Sequence, residues 1–172
     1  AGREDIDVEC HGKRPFVIEL REPLKRDLDI AKIQEEINED DRVEVFNLQE
    51  THHDKPAEVK DLDADKTYRA WIEVENLEEA DLKLLDSLEG EVVQRTPQRV
   101  DHRRADKHRK RQVKNTEWKI DGDLLVLDVK AEAGTYIKEL ISGDDGRSEP
   151  SVAGLLDRKA KCVKLDVIEI DA

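Results

Sequence analysis

The sequence predicts an α+β domain with a mixed, mainly antiparallel sheet flanked by helices. Three observations carry this. Apolar residues alternate with mostly polar ones, the period of a half-buried strand, at residues 16–21, 43–48 and 66–74. Stretches of helical period lie among them, and the two kinds interleave without the regular strand–helix–strand rhythm of a parallel sheet. Between residues 116–120 and 123–131 sits Asp121-Gly122, a hairpin signal because both residue types readily take the positive φ angles of a type I′ turn.

Taken in order, the run Phe16-Val17-Ile18-Glu19-Leu20-Arg21 follows Pro15 and predicts the first strand. Ile30, Ile33 and Ile37 then recur at helical spacing behind Asp27 or Asp29, either of which can cap the first turn, and Asp40-Asp41 marks the end. Residues 43–48 predict a second strand, followed by a polar loop through His52-His53-Asp54-Lys55-Pro56. Lys66 to Val74 is the next strand. A helix is expected over residues 78–89, with Leu82, Leu85 and Leu88 on one face and Gly90 as its stop. The Leu- and Val-rich arm after Gly122 should be a central strand. A short helix over residues 150–156 and a strand over 162–170, with Val163, Leu165 and Val167 on one face, complete the chain.

Composition narrows the function. At 172 residues and 37% hydrophobic content the chain is one domain, or one large lobe of a longer protein. Charged residues make up 42%, the net charge is −13 and aromatics are 3%, so the core must be Val, Leu, Ile and Ala. Such acidity suits high salt and suggests a halophilic source, although the lysines argue the other way. Cys10 and Cys162 form no Cys-x-x-Cys pair and are too few for a disulfide framework, which points to a reducing cytoplasm. The five histidines lack the spacing of metal ligands, and Gly143-Asp144-Asp145-Gly146-Arg147 lacks the spacing of a calcium loop. No metal is expected. No apolar run approaches the roughly 20 residues of a membrane span, and no signal peptide is seen.

The segment from Arg95 to Lys114 opposes the charge of the rest, with nine Lys or Arg against Asp101 and Asp106. In an acidic chain that repels polyanions, concentrated positive charge localises where nucleic acid could dock. A non-catalytic RNA-binding domain using residues 95–114 is therefore one reading. A halophilic domain without any nucleic-acid role is another.

Four separated motifs favour an enzyme. Gly2-Arg3-Glu4-Asp5 resembles the Gly-Arg-x-Asp loop of the pseudouridine synthases, and its continuation into Gly12-Lys13-Arg14-Pro15-Phe16 resembles the Pus10-type tRNA enzymes of archaea and eukaryotes. Lys66-Thr67-Tyr68-Arg69-Ala70 resembles the strand that carries their active-site tyrosine. The string from Arg95 through Asp106 resembles a Pus10 signature nearly residue for residue. Gly134-Thr135-Tyr136-Ile137-Lys138 resembles a motif shared with the TruB family.

The resemblance implies a pseudouridine synthase fold and the isomerisation of uridine in tRNA, without metal or other cofactor. Its expected substrate is the T arm, at positions 54 and 55. It implies that Asp5 is catalytic, as nucleophile or as base, that Tyr68 stacks on the target base, and that Lys138 ion-pairs with Asp5 while Ile137 packs against the pocket. An aliphatic side chain lining the uracil is either Leu156 or Leu165. Arg3, Arg95, Arg99, Arg103, Arg104 and Arg109 are the expected RNA contacts. The chain is expected to be a cytoplasmic monomer and part of a catalytic domain whose upstream portion, with any accessory RNA-binding domain, is missing, since Ala1 directly precedes the Asp5 loop.

Overall fold

The computed structural model describes residues 5–60 and 64–171. They form two compact units, one of residues 15–60 and one of residues 5–14 with 64–171.

The second unit holds a seven-stranded sheet in the order β1-β7-β2-β5-β4-β3-β6. The strands are β1 (Glu9–Cys10), β2 (Lys66–Val74), β3 (Gly90–Arg95), β4 (His108–Asp121), β5 (Leu124–Ala131), β6 (Ser148–Glu149) and β7 (Ala160–Ile170). Among the described residues only β1 and β7 pair in parallel; the remaining pairs are antiparallel. The expected mixed, mainly antiparallel sheet is present, and β4 and β5 join through Gly122 at φ 61° as the Asp-Gly hairpin requires.

In chain order the α-helices are α1 (Ile30–Ile37), α2 (Lys55–Lys60), α3 (Ile137–Ser142) and α4 (Val152–Leu156). Alternation sets the core face of the sheet. Tyr68, Ala70, Ile72 and Val74 of β2 lie beside Leu125, Leu127, Val129 and Ala131 of β5, all buried. Leu85 and Leu88, then Leu140 and Ile141 of α3 and Val152 and Leu156 of α4, belong to the same core. Each fully buried Leu or Ile contributes about 1.5–3 kcal/mol relative to exposure. On the opposite face Arg69 forks onto Asp128 with bonds of 2.7 and 2.6 Å, and Lys164 lies 4.6 Å above the Trp71 ring.

Four expectations need correction. Residues 16–21 form no strand: Phe16, Ile18 and Leu20 are exposed and their backbone has no ladder partner, without which alternation alone cannot build a strand. The short β1 takes the sheet-joining role instead. Residues 43–48 are also irregular, because side chains of α1 and of its C-cap Asn38 satisfy their backbone. Val45 exchanges hydrogen bonds of 2.7 and 2.9 Å with the Asn38 amide, and Leu48 donates to Gln34 Oε1 at 2.8 Å. The helix after Glu78 is a 3₁₀ helix, Glu79–Leu88, and the three-residue spacing of Leu82, Leu85 and Leu88 is that helix's own period. Val163 is exposed, unlike Leu165 and Val167. In β7 the register jumps from Lys164 to Cys162 opposite Trp71 and Ile72, so Val163 bulges off the inward face.

Helix α1 matches its expectation, with Asp29 as the cap accepting from the Lys32 N–H at 3.1 Å.

Candidate active site

The Asp5 loop is pinned to the sheet edge. The Val8 N–H donates to the Asp5 carbonyl at 3.1 Å, closing a tight turn, and the Val8 side chain packs on the core. Glu9 and Cys10 then pair with Asp166 and Val167, and the His11 N–H donates to the Val167 carbonyl at 2.8 Å. Gly12 lies so close to β7 that a Cβ would come within 3.1 Å of Ile170 N and 3.2 Å of Glu169 C. Only glycine fits without a shift.

Lys138 and Glu139 open α3, whose start is fixed from β3. Buried Gln94 donates to the Tyr136 carbonyl and accepts from the Tyr136 N–H, each at 2.9 Å, and also donates to Ser148 Oγ at 2.9 Å. Arg99 stands on the 3₁₀ helix Gln98–Arg103, anchored by buried Val100 and by the Gln98 N–H on Asp144 Oδ2 at 3.0 Å.

These elements converge in an alternating chain of five charges. Glu139 accepts from Arg99 Nε at 2.6 Å; Arg99 Nη1 lies 3.0 Å from Asp5 Oδ2; Lys138 Nζ lies 3.5 Å from the same Oδ2 and 2.8 Å from Asp7 Oδ2. Asp5 is about one third exposed, at 34%. Burial opposes the charge on both cations, yet their acid partners outweigh it. Hydrogen bonding to Glu139, with the charges of Glu139 and Asp5, raises the Arg99 pKa, and the Asp7 hydrogen bond with the charges of Asp5 and Asp7 raises that of Lys138. The Lys138 hydrogen bond holds Asp7 below its ordinary value.

The other expected site residues are placed as follows. Tyr68 is 4% exposed and belongs to the core cluster that also includes Ile137, Leu156 and Leu165, all buried. Arg95 pairs with Asp106, Arg109 donates to Thr96 Oγ1 at 3.0 Å, and Arg99 is committed to Asp5 and Glu139. Thr96, itself buried, staples this segment by donating to the Ala105 carbonyl at 2.8 Å and accepting from the Lys107 N–H at 3.0 Å. Arg103 and Arg104 are exposed, and Arg104 donates to the Tyr136 hydroxyl at 3.2 Å. Arg3 lies outside the described residues. The sequence reading missed Asp7, Gln94 and Glu139. Glu139 carried a signal, as a carboxylate among the apolar residues of a short helix.

A cluster of Glu9, His11 and Asp166 also brings three potential ligand atoms within 4.8 Å of one another. The Lys164 ammonium already occupies Asp166 Oδ2 at 2.9 Å, and a cation there competes with a metal ion.

The family described as Pus10, C-terminal, matches residues 1–171. The chain is 46% identical over 175 residues to the tRNA pseudouridine synthase Pus10 of Methanocaldococcus jannaschii, covering 99% of this chain and 38% of that one. It is 44% identical over 174 residues to the Archaeoglobus fulgidus protein of that name, covering 99% and 49%. It therefore spans less than half the length of these relatives. Among solved structures, the crystal structure of a Cbf5-Nop10-Gar1 complex contains a similar chain. That similarity has a TM-score of 0.52 at 29% identity and covers 65% of this chain and 32% of the other.

The seven-stranded sheet and its likeness to that chain give this domain the pseudouridine synthase fold. Within that class, the chain belongs to the Pus10 family.

Proposed function

We propose that this protein isomerises uridine to pseudouridine in the T arm of tRNA, at position 54 or 55, with Asp5 as the catalytic carboxylate. The observation that carries the proposal is the Asp5 side chain, partly open to solvent and flanked by Arg99 at 3.0 Å and Lys138 at 3.5 Å. Two cations on one carboxylate fix its orientation through charge-assisted contacts. An ionised carboxylate can attack the sugar carbon or take a proton from the sugar, and both routes free the base. The bond from C1′ to N1 breaks, the uracil turns, a new bond joins C1′ to C5, and the C5 proton is finally lost as N1 gains one.

The target uridine must leave the folded RNA to reach Asp5. Tyr68 and Ile137, with Leu156 or Leu165, would form the apolar floor that receives it, with the Tyr68 ring uncovered as the base enters. Exposed Arg103 and Arg104 would meet phosphates, and Arg3 would assist. The isomerisation is redox-neutral, so it calls for no redox cofactor. Mapping pseudouridine in tRNA from a deletion strain tests the substrate: loss at position 54 or 55 supports it, and intact modification at both refutes it.

A further inference from the structure

We propose that Arg99, held in place by Glu139, is a positioning residue for the Asp5 carboxylate and makes no contact with RNA phosphate. This deepens the functional proposal and rests on Asp5 being catalytic. The basic string around Arg99 suggests RNA binding, but the donor count argues otherwise. One edge of the planar guanidinium, Nε and Nη2, is taken by Glu139 at 2.6 and 3.4 Å, and Nη1 is aimed at both Asp5 oxygens, at 3.1 and 3.0 Å. The Glu139 side chain is 6% exposed. A carboxylate buried to that degree demands a paired cation, so pulling Arg99 out to a phosphate would strand it.

Glu139 and Lys138 are neighbours at the start of α3, so a single short helix sets both cations that flank Asp5. Lys138 reaches Asp5 directly. Glu139 acts through Arg99, which stands on a different element. A lysine at position 99 would keep the charge but could not bridge two carboxylates with a fixed fork.

The test uses the full-length protein and a tRNA transcript. Single-turnover rate, tRNA affinity and its salt dependence are measured for Arg99→Lys, Glu139→Gln and Asp5→Asn, with circular dichroism giving the folded fraction by which each rate is scaled. The expected result for Arg99→Lys and Glu139→Gln is a fall in rate of about tenfold to hundredfold, the cost of a misplaced catalytic group. Their tRNA affinity and salt slope should match the wild type. If Arg99→Lys keeps its rate, or if Arg99→Lys and Glu139→Gln weaken tRNA binding and reduce the salt slope by about one phosphate contact, the proposal is overturned. Retained activity in Asp5→Asn would overturn the catalytic reading itself and this inference with it. An inactive Asp5→Asn beside a fully active Arg99→Lys would overturn the inference alone.

Discussion

The side-chain amide of Gln94 grips both backbone polar groups of Tyr136, donating to its carbonyl and accepting from its N–H at 2.9 Å each. This mimics one rung of a sheet ladder and joins β3 to the residue that starts α3. Gln94→Ala would leave both groups without their partner in a partly buried place, at about 1–3 kcal/mol for each unsatisfied group and so about 2–6 kcal/mol for the two. The expected outcome is a stability loss in that range by urea unfolding, with a lower reaction rate because Lys138 and Glu139 lose their fixed start. Unchanged stability would mean that water replaces the amide.

Lys138 divides its ammonium between two acids, at 2.8 Å from Asp7 and 3.5 Å from Asp5. Lys138 holds the Asp7 carboxyl below its ordinary value of 3.8. A lowered folded-state pKa means that the pair stabilises the fold fully above 3.8 and stops doing so as pH falls through the lower folded value. Asp7 is 65% exposed, so solvent screening limits the effect to about 1 kcal/mol or less. Asp7→Asn should cost that little near neutral pH, and its difference from the wild type should shrink as the pH is taken below 3.8. A difference that persists in acid would assign the loss to packing.

Arg103 and Arg104 are exposed and, among the described residues, Arg104 lends only one bond, to the neutral Tyr136 hydroxyl, whereas Arg95 and Arg99 hold carboxylates and Arg109 holds Thr96 Oγ1. Replacing Arg103 and Arg104 with Ala should weaken tRNA binding and lower the salt slope by about one to two released counterions. Replacing Arg95 should mainly loosen the loop it shares with Asp106. A salt slope left unchanged by the Arg103 and Arg104 changes would place the RNA elsewhere.

Much of the sheet was legible because β2, β5 and β7 carry strong alternation or the Asp-Gly turn. The first half of β4 is hidden by its charges: it pairs with β3 alone, the β5 ladder starting only at Val113, and its run of basic side chains looks like a solvated stretch. Residues 16–21 and 43–48 misled for the opposite reason, since period two shows what a strand could bury but not whether a partner strand exists. At the site, Asp5 and Lys138 were visible through family motifs. Gln94, Asp7 and Glu139 were not, because their work depends on distances between elements. Arg99 stands in a run of positive charge that suggests RNA, and composition cannot show the buried carboxylate of Glu139 that also holds it.

The two thiols should differ in reactivity. Cys10 is exposed, while burial pushes the Cys162 thiol up to about 11. The thiolate is the reactive form, so a thiol reagent at pH 8 should label Cys10 quickly and partly exposed Cys162 much more slowly. Equal labelling of both in the folded protein would contradict the packing of β7 beneath α3.

The central claim is that Asp5 supplies the chemistry, and Asp5→Asn in the full-length protein tests it most directly. Asparagine keeps the size and a hydrogen-bond acceptor for Arg99 but removes the ionised carboxylate. Pseudouridine formation in a tRNA transcript should be abolished, with tRNA affinity within about twofold of wild type, because the lost charge is an acid that phosphates do not contact. Pseudouridine formed at an undiminished rate by Asp5→Asn would contradict the account.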